Sequence, residues 1–432
     1  MHTKKEIMNF LKTILNAVVL IIVMSSCNKK DSIPNENDGM VSENTTNVYP
    51  FPNHTNYKGA HIKPTNYNQT DLDFQTAAFY DAWKKTYLKN DCNTNEYYVL
   101  SGNGAKTVSE AHGYGMMITC FMAGYDSNAK LYFDGLYHYY KSHPSNINNN
   151  LMDWKQISCS DVASTDDDAA SDGDIDIAFS LLLAHKQWGS EGAINYLLEG
   201  KNMINSILED EINQNIWTVK LGDWSDSSNP NYYFGTRSSD FITSHFKVFA
   251  NATNNANWNL VVDECYNLIS SIQNNQSTTT GLMPDFIINS NTNPMPAEPN
   301  YLEDVYDGNY YYNACRFPWR IGNDYLISGD TRAKTAIIKI NRWLKNATLG
   351  NANAISNGYQ LNGTPINNWG DATFIGPLTV GAMADVTNQD WLNTLYNELV
   401  NNNDLSNGDY YSNTIKVLSM ITISGNYWNP EI

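Results

Sequence analysis

The side chains best suited to chemistry in this chain are acids joined to apolar helical patterns. Between Ala170 and Trp188 the sequence reads Ala-Ser-Asp-Gly-Asp-Ile-Asp-Ile-Ala-Phe-Ser-Leu-Leu-Leu-Ala-His-Lys-Gln-Trp, so Asp172, Asp174 and Asp176 run straight into a segment that must be buried. A helix beginning at Asp174 leaves Asp172 at its N-terminus, where unpaired N–H groups and the positive end of the helix dipole stabilise a carboxylate. Ile177, Ser180, Leu181 and Ala184 then face inward at helical spacing. Simple N-capping is the commoner use of such acids. A calcium loop of the EF-hand type fails on detail, because Ile177 stands where the sharp turn needs Gly and Leu183 where the bidentate Glu should be.

Upstream stands Ser109-Glu110-Ala111-His112-Gly113-Tyr114-Gly115-Met116-Met117. Ser109 can cap the following helix. Gly113 and Gly115 keep the backbone bare near Glu110, room for another molecule to approach. A Glu beside Tyr114 and an apolar helix is open to desolvation, which raises its pKa and keeps it protonated as a general acid. His112 reads as a structural hydrogen-bonder rather than a catalyst.

The elements that must position these acids are helices. About twelve helical patterns recur, near 74–88, 109–124, 128–142, 174–188, 191–208, 238–250, 257–273, 313–328, 331–345, 377–386, 389–401 and 410–424, with short Asn-, Gly- and Ser-rich breaks. Ala333, Ala336, Ile337, Ile340, Trp343 and Leu344 mark one apolar face, and Ile194, Leu197, Leu198, Ile204, Ile207 and Leu208 another. Alternating β-type runs of comparable strength are missing, so the expectation is an all-α fold with at most short hairpins around 213–236 and 351–370. No fixed-period repeat suggests a solenoid. Twelve helices closed as six hairpins fit the count, in a single catalytic domain over 53–432.

The composition narrows the partners. With 28 Tyr, 11 Trp and only 17% charged residues, the chain suits a protein that presents ring faces to a weakly charged polymer such as a glycan. A net charge of −18 argues against nucleic acid, which needs Lys and Arg clusters. Lys4 and Lys5, an apolar run from Ile14 to Met24, and Ser25-Ser26-Cys27 read as a signal peptide over 1–27. The small residues before Cys27 resemble a bacterial lipobox, which implies lipid on its thiol and anchoring of an exported protein to an outer membrane or cell surface. Residues 28–52 are polar and read as a flexible tether. The remaining five cysteines include no Cys-x-x-Cys and read mostly as buried thiols, Cys120 and Cys315 above all, with neither a zinc site nor a dense disulfide framework. No metal or cofactor is expected, and the protein is expected to be a monomer.

Ser-Glu-x-x-Gly-Tyr-Gly-Met, followed about sixty residues later by Ala-Ser-Asp-Gly-Asp-x-x-Ile-Ala-x-Ser-Leu-Leu-x-Ala-x-x-x-Trp, resembles glycoside hydrolase family 8. The resemblance spans about residues 74–430 and continues through Trp154, the run Thr236 to Asp240, and the run Asn313 to Arg320. It implies an (α/α)6 barrel and endo-acting hydrolysis with inversion. Inversion needs an acid on one side of the glycosidic bond and a base holding water on the other, about 6.5–9.5 Å apart. The motif match implies Glu110 as the acid and Asp172 as the residue that positions the sugar at the cleavage subsite. It also implies that Arg316 orients a carboxylate or a sugar hydroxyl.

One departure matters. Many members carry Asp, as the base, where this chain has Asn313, and an amide cannot take a proton at neutral pH. The departure resembles a subgroup, including chitosanases and mixed-linkage β-glucanases, in which a Glu from the preceding loop serves instead. That loop holds Glu298, Glu303, Asp304 and Asp307. Glu303 is the expected base, with Leu302 anchoring it, so Glu303→Ala should abolish activity while Asp304→Ala and Asp307→Ala leave most of it. Tyr114 and Trp154 are candidates for stacking on sugar rings. The expected substrate is chitosan or a β-glucan or cellulose-type chain, and the net charge leans slightly toward chitosan. The alternatives are a xylan-acting endo- or exo-hydrolase, or an inactive surface glycan-binding lipoprotein, which Asn313 favours.

Overall fold

The structure, a computed structural model, describes residues 46–432 except 103, 161–167, 402–404 and 406–408. The predicted signal segment, Cys27 and most of the tether lie outside the described residues. No described helix is long and apolar enough to cross a membrane.

Twelve helices of eleven residues or more carry the fold. They are α1 (Gln69–Tyr87), α2 (Ser109–Phe121), α3 (Ala129–Ser142), α4 (Ser171–Trp188), α5 (Tyr196–Asp210) and α6 (Thr243–Thr253). The second half supplies α7 (Asn257–Asn275), α8 (Phe317–Ser328), α9 (Thr331–Ala347), α10 (Ala372–Ala382), α11 (Gln389–Asn401) and α12 (Tyr410–Ile423). Burial sorts them by parity. The even-numbered helices are buried almost all round, whereas α3, α5, α7, α9 and α11 are amphipathic and bury one stripe. Each even-numbered helix packs on the next, and α12 returns to α2, which closes a ring; the odd-numbered helices pack outside it. The fold is therefore an (α/α)6 barrel. Because an outer helix separates successive inner ones, all six inner helices run in the same direction and their N-termini gather at one end.

Small sheets decorate that end. β1 (Leu88–Asn93) pairs with β2 (Glu96–Val99), and β3 (Thr107–Val108) pairs with β4 (Lys155–Gln156). β5 (Ile212–Asn213) pairs with β6 (Thr218–Val219), while β7 (Thr236–Arg237), β8 (Phe286–Ile288) and β9 (Met295–Pro296) form a three-stranded sheet. The hairpin β1–β2 falls outside the loops where hairpins were expected.

Several boundaries move. The helix expected from 377 starts at Ala372, with Pro377 inside it rather than at its start. The helix expected from Asp174 begins at Ser171, which puts Asp172 in its first turn. Residues 46–52, assigned by composition to the tether, belong to the body: Tyr49 stacks on Trp428 with ring centroids 4.3 Å apart, and the Phe51 N–H donates to the Ala123 carbonyl at 2.6 Å. A disulfide joins Cys92 to Cys159. The expected burial of Cys120 and Cys315 holds, and Cys265 is buried too.

Candidate active site

Glu110 and Asp172 sit in the first turns of α2 and α4, and the two helices cross unusually closely. A Cβ on Gly173 would lie 2.3 Å from the Ser109 hydroxyl, and one on Gly113 would lie 2.5 Å from the Asp176 Cβ. Gly113 therefore serves helix packing, and Gly115 likewise meets Val99 and Leu136, so the bare backbone expected to admit a ligand admits neighbouring elements instead. Ser109 does not cap; it is the first helical residue, after Val108 at the N-cap.

Arg316, just before α8 and buried, ties the two carboxylates together. Its Nη1 donates to Glu110 Oε2 and to Asp172 Oδ2, both at 2.7 Å, and to the Tyr114 hydroxyl at 3.1 Å. Its Nη2 donates to Ser239 Oγ at 2.9 Å and to Asn313 Oδ1 at 2.8 Å. From α12, the Tyr410 hydroxyl donates to the second Glu110 oxygen at 3.2 Å. Four inner-helix ends thus converge on one point.

The two acids respond differently to this setting. Burial pushes the Glu110 carboxyl up to about 7, with the Asp172 charge adding to the rise and Arg316 opposing it. Burial also acts upward on Asp172, but Arg316 and Arg237 outweigh it and hold that carboxyl below its ordinary value. One acid is poised to keep a proton near neutral pH and its neighbour to stay ionised.

Glu303 stands on the loop facing this floor, with its side chain 45% exposed. Arg237 Nη2 donates to Glu303 Oε1 at 2.8 Å, and Asn313 Nδ2 donates to Glu303 Oε2 at 2.7 Å. Two hydrogen-bonded bridges, the Asn313 amide and the Arg316 guanidinium, therefore connect Glu303 to Glu110. The loop's anchor is not Leu302, which is 36% exposed. Buried Asp307 accepts the backbone N–H groups of Leu302, Glu303 and Asp304 at 2.7, 3.0 and 3.0 Å, and Tyr301 packs against Leu221, Phe286 and Ala297. Asp285 accepts the backbone N–H groups of Tyr311, Asn313 and Ala314 and so fixes the turn that carries Asn313.

A pocket of about 390 Å³ opens beside Glu303, lined by Trp154, Trp224, Arg237 and Leu302. Trp154 is 39% exposed there and can present a ring. Tyr114 cannot: it is fully buried, edge-on to Trp319, and serves through its hydroxyl on Arg316. Arg316 itself is buried under the site and orients carboxylates. His112 is buried and stacked on Tyr139, and burial pushes its pKa down to about 3, in keeping with a structural role. Arg237 and Ser239 were visible only as part of a motif run, Asp307 only as one of four loop acids, and Tyr410, Trp224 and Asp285 carry no local sequence signal of their own. Among the described residues, the one group of His, Cys, Asp or Glu with metal-ligand spacing is Asp91, Cys92 and Cys159, whose sulfurs are already joined to each other.

Comparisons with known proteins agree with this fold. The family model for glycosyl hydrolases family 8 matches residues 70–425. A β-glucanase of Niallia circulans is 47% identical over 380 residues, which cover 88% of this chain and 91% of that one. An endoglucanase of Bacillus sp. strain KSM-330 is 39% identical over 405 residues, covering 91% and 85%. Among solved structures, the apo β-1,3-1,4-glucanase of Paenibacillus sp. X4 superposes with a TM-score of 0.84 at 47% identity, covering 88% of this chain and 99% of that one. The xylose complex of Rex8A from Paenibacillus barcinonensis superposes at 0.70 with 17% identity, covering 87% and 100%, and shares the fold.

Proposed function

The chain belongs to glycosyl hydrolase family 8, and from that premise we propose that this glycoside hydrolase is an inverting endo-β-glucanase with Glu110 as acid and Glu303 as base. The observation that carries the assignment is the pairing of a half-buried carboxyl pushed up to about 7 with a more exposed carboxylate two bridges away. Glu303 takes a proton from water as the water oxygen attacks the anomeric carbon. The bond from that carbon to the leaving oxygen breaks on the opposite face, and Glu110 gives that oxygen its proton. Glu303 ends protonated and Glu110 ionised, and exchange with solvent restores both. Asp172, ionised and held by Arg316, is the positioning acid for the sugar at the cleavage point.

Asn313 is an integral part of this arrangement. Its amide donates to Glu303, whereas an Asp at the same place would set two carboxylates 2.7 Å apart, where both cannot ionise. The exchange of Asp for Asn and the recruitment of a loop Glu are thus one change rather than two.

For substrate we favour a mixed-linkage β-glucan, supported by the β-1,3-1,4-glucanase at 47% identity and more broadly by the β-glucanase at the same identity, over chitosan, for which the Asn313 resemblance and the net charge speak. Xylan is less favoured, because the xylose-bound neighbour shares only 17% identity. The Cys92–Cys159 disulfide supports export to an oxidising compartment, in line with the predicted signal segment. Parallel digestion of lichenan, chitosan and xylan by the wild type and by Glu110→Gln tests the reading. Lichenan should be cleaved fastest, and the variant should lose that cleavage; equal rates for the two proteins would remove Glu110 from its role.

A further inference from the structure

Beneath the first turn of α4 lies a pair of acids that the mechanism does not use. Asp174 and Glu211 are both fully buried. Asp174 Oδ1 accepts the Met152 N–H at 2.9 Å, but Asp174 Oδ2 and both Glu211 oxygens make no hydrogen bond of good geometry, although the Ser171 hydroxyl lies beside Glu211. The two carboxyls lie within hydrogen-bonding reach of each other.

The neighbours are committed elsewhere. The Ser171 hydroxyl donates to the Lys220 carbonyl at 3.0 Å, and Asp223 accepts from Ser145 Oγ at 2.5 Å and from the Ala169 N–H at 2.8 Å. Asp172 is held by Arg316. Lys220 is the cation facing the pair, Asp223 and Asp172 are the anions, and Tyr140 brings a hydroxyl from α3. Two ionised carboxyls in contact in a buried site repel strongly, so a positive partner has to lie between them. Among the described residues no three-ligand group includes either acid, which leaves a proton as the better fit than a cation.

We propose that Asp174 and Glu211 share one proton in a direct carboxyl–carboxylate hydrogen bond, and that this bond positions Asp172. The pair clamps the first turn of α4 onto residue 211, at the end of α5, and onto the chain at Met152. Two residues beyond Met152, the Trp154 carbonyl accepts the Ser109 N–H at 2.9 Å, so the same clamp reaches the start of α2 and Glu110. Asp174 and Glu211 are positioning residues, since neither touches substrate. Burial holds both carboxyls well above their ordinary values, with repulsion from Asp223 and Asp172 adding at Asp174 and repulsion from Asp174 and Asp223 adding at Glu211, in keeping with a retained proton. The inference deepens the proposed function through Asp172 and is independent of which acid is the base.

The test compares Glu211→Gln, whose amide can donate to Asp174 without a titrating proton, with Glu211→Ala. At neutral pH, the infrared difference spectrum of wild type minus Glu211→Gln should contain one protonated-carboxyl C=O band. A folded state that keeps a proton the unfolded chain has lost becomes less stable as pH rises through the interval between the two pKa values. Melting temperature should therefore fall with rising pH in the wild type and fall less in Glu211→Gln. The kcat of Glu211→Gln should stay within about threefold of wild type, while Glu211→Ala should lose about tenfold or more in kcat with little change in KM. If Glu211→Ala does not fold, the spectrum and the pH slope decide alone. A missing band with an unchanged slope would overturn the proposal. So would a Glu211→Gln protein whose activity is lost and whose wild-type parent is stabilised by added divalent cations, which would put a metal ion where we place the proton.

Discussion

The floor and the wall of the active site are built by opposite means. Glu110 rests on the ends of four inner helices, 18% exposed and held by Arg316 and Tyr410, while Glu303 rises from a loop and stays 45% exposed. An acid that must hold its proton near neutral pH needs a dry, rigid seat, and close-packed helix ends supply one. A base that must receive water needs contact with solvent, and a loop supplies that. Order on the exposed side comes from hydrogen bonds rather than packing: Asp307 gathers three backbone N–H groups, and Arg237 and Asn313 hold the Glu303 carboxylate.

Removing each acid in turn is the harshest challenge to this contrast. Glu110→Gln and Glu303→Ala should each lower kcat by about 10²–10⁴, the usual worth of a general acid or base. Asn313→Asp should lose activity rather than gain a second base, because the new carboxylate would force a proton onto Glu303; activity equal to wild type would show that the two groups do not face each other. Asp304 and Asp307, alike in sequence, should separate. Asp304→Ala should keep most of the activity, whereas Asp307→Ala should lower kcat by about tenfold, since three backbone N–H groups lose their acceptor. That second expectation corrects the sequence-based one, in which both substitutions were tolerated.

A gentler probe is pH. As the proposed acid Glu110 would work protonated, so kcat/KM should decline as pH rises through about 7, and Tyr410→Phe, which removes a donor to the ionised form, should move that limb upward. An unshifted limb would mean the hydroxyl does not tune the acid. The smallest effect belongs to Trp154→Ala, which should raise KM for long glucans by severalfold and leave kcat nearly intact, as loss of one ring face predicts.

The same contrast explains what could be read in advance. Helices announce themselves through apolar spacing, so all twelve and their hairpin arrangement were legible, and Glu110 and Asp172 stood in motifs tied to helix starts. Boundaries slipped where an acid or a proline looked like a start, as at Asp174 and Pro377, because tertiary packing carried the helix further than local preference suggests. Gly113 and Gly115 were legible as bare backbone but not as to which neighbour fills the space. Glu303 was singled out by its position before Asn313, and its carboxylate does meet the Asn313 amide. Its support was misjudged, since Leu302 looked like an anchor and Asp307 counted only as a loop acid whose loss would be tolerated. Tyr410, Asp285 and the Cys92–Cys159 disulfide depend on contacts between segments distant in the chain, which no local pattern encodes.

Proton NMR of lichenan digestion, recorded before the sugar anomers equilibrate, reads the geometry of attack directly. Water activated by Glu303 on the face opposite Glu110 must deliver product in the α configuration first, with the β form growing in later by mutarotation. First-formed β product would mean retention and a covalent intermediate, and would contradict the proposed pairing of Glu110 as acid with Glu303 as base.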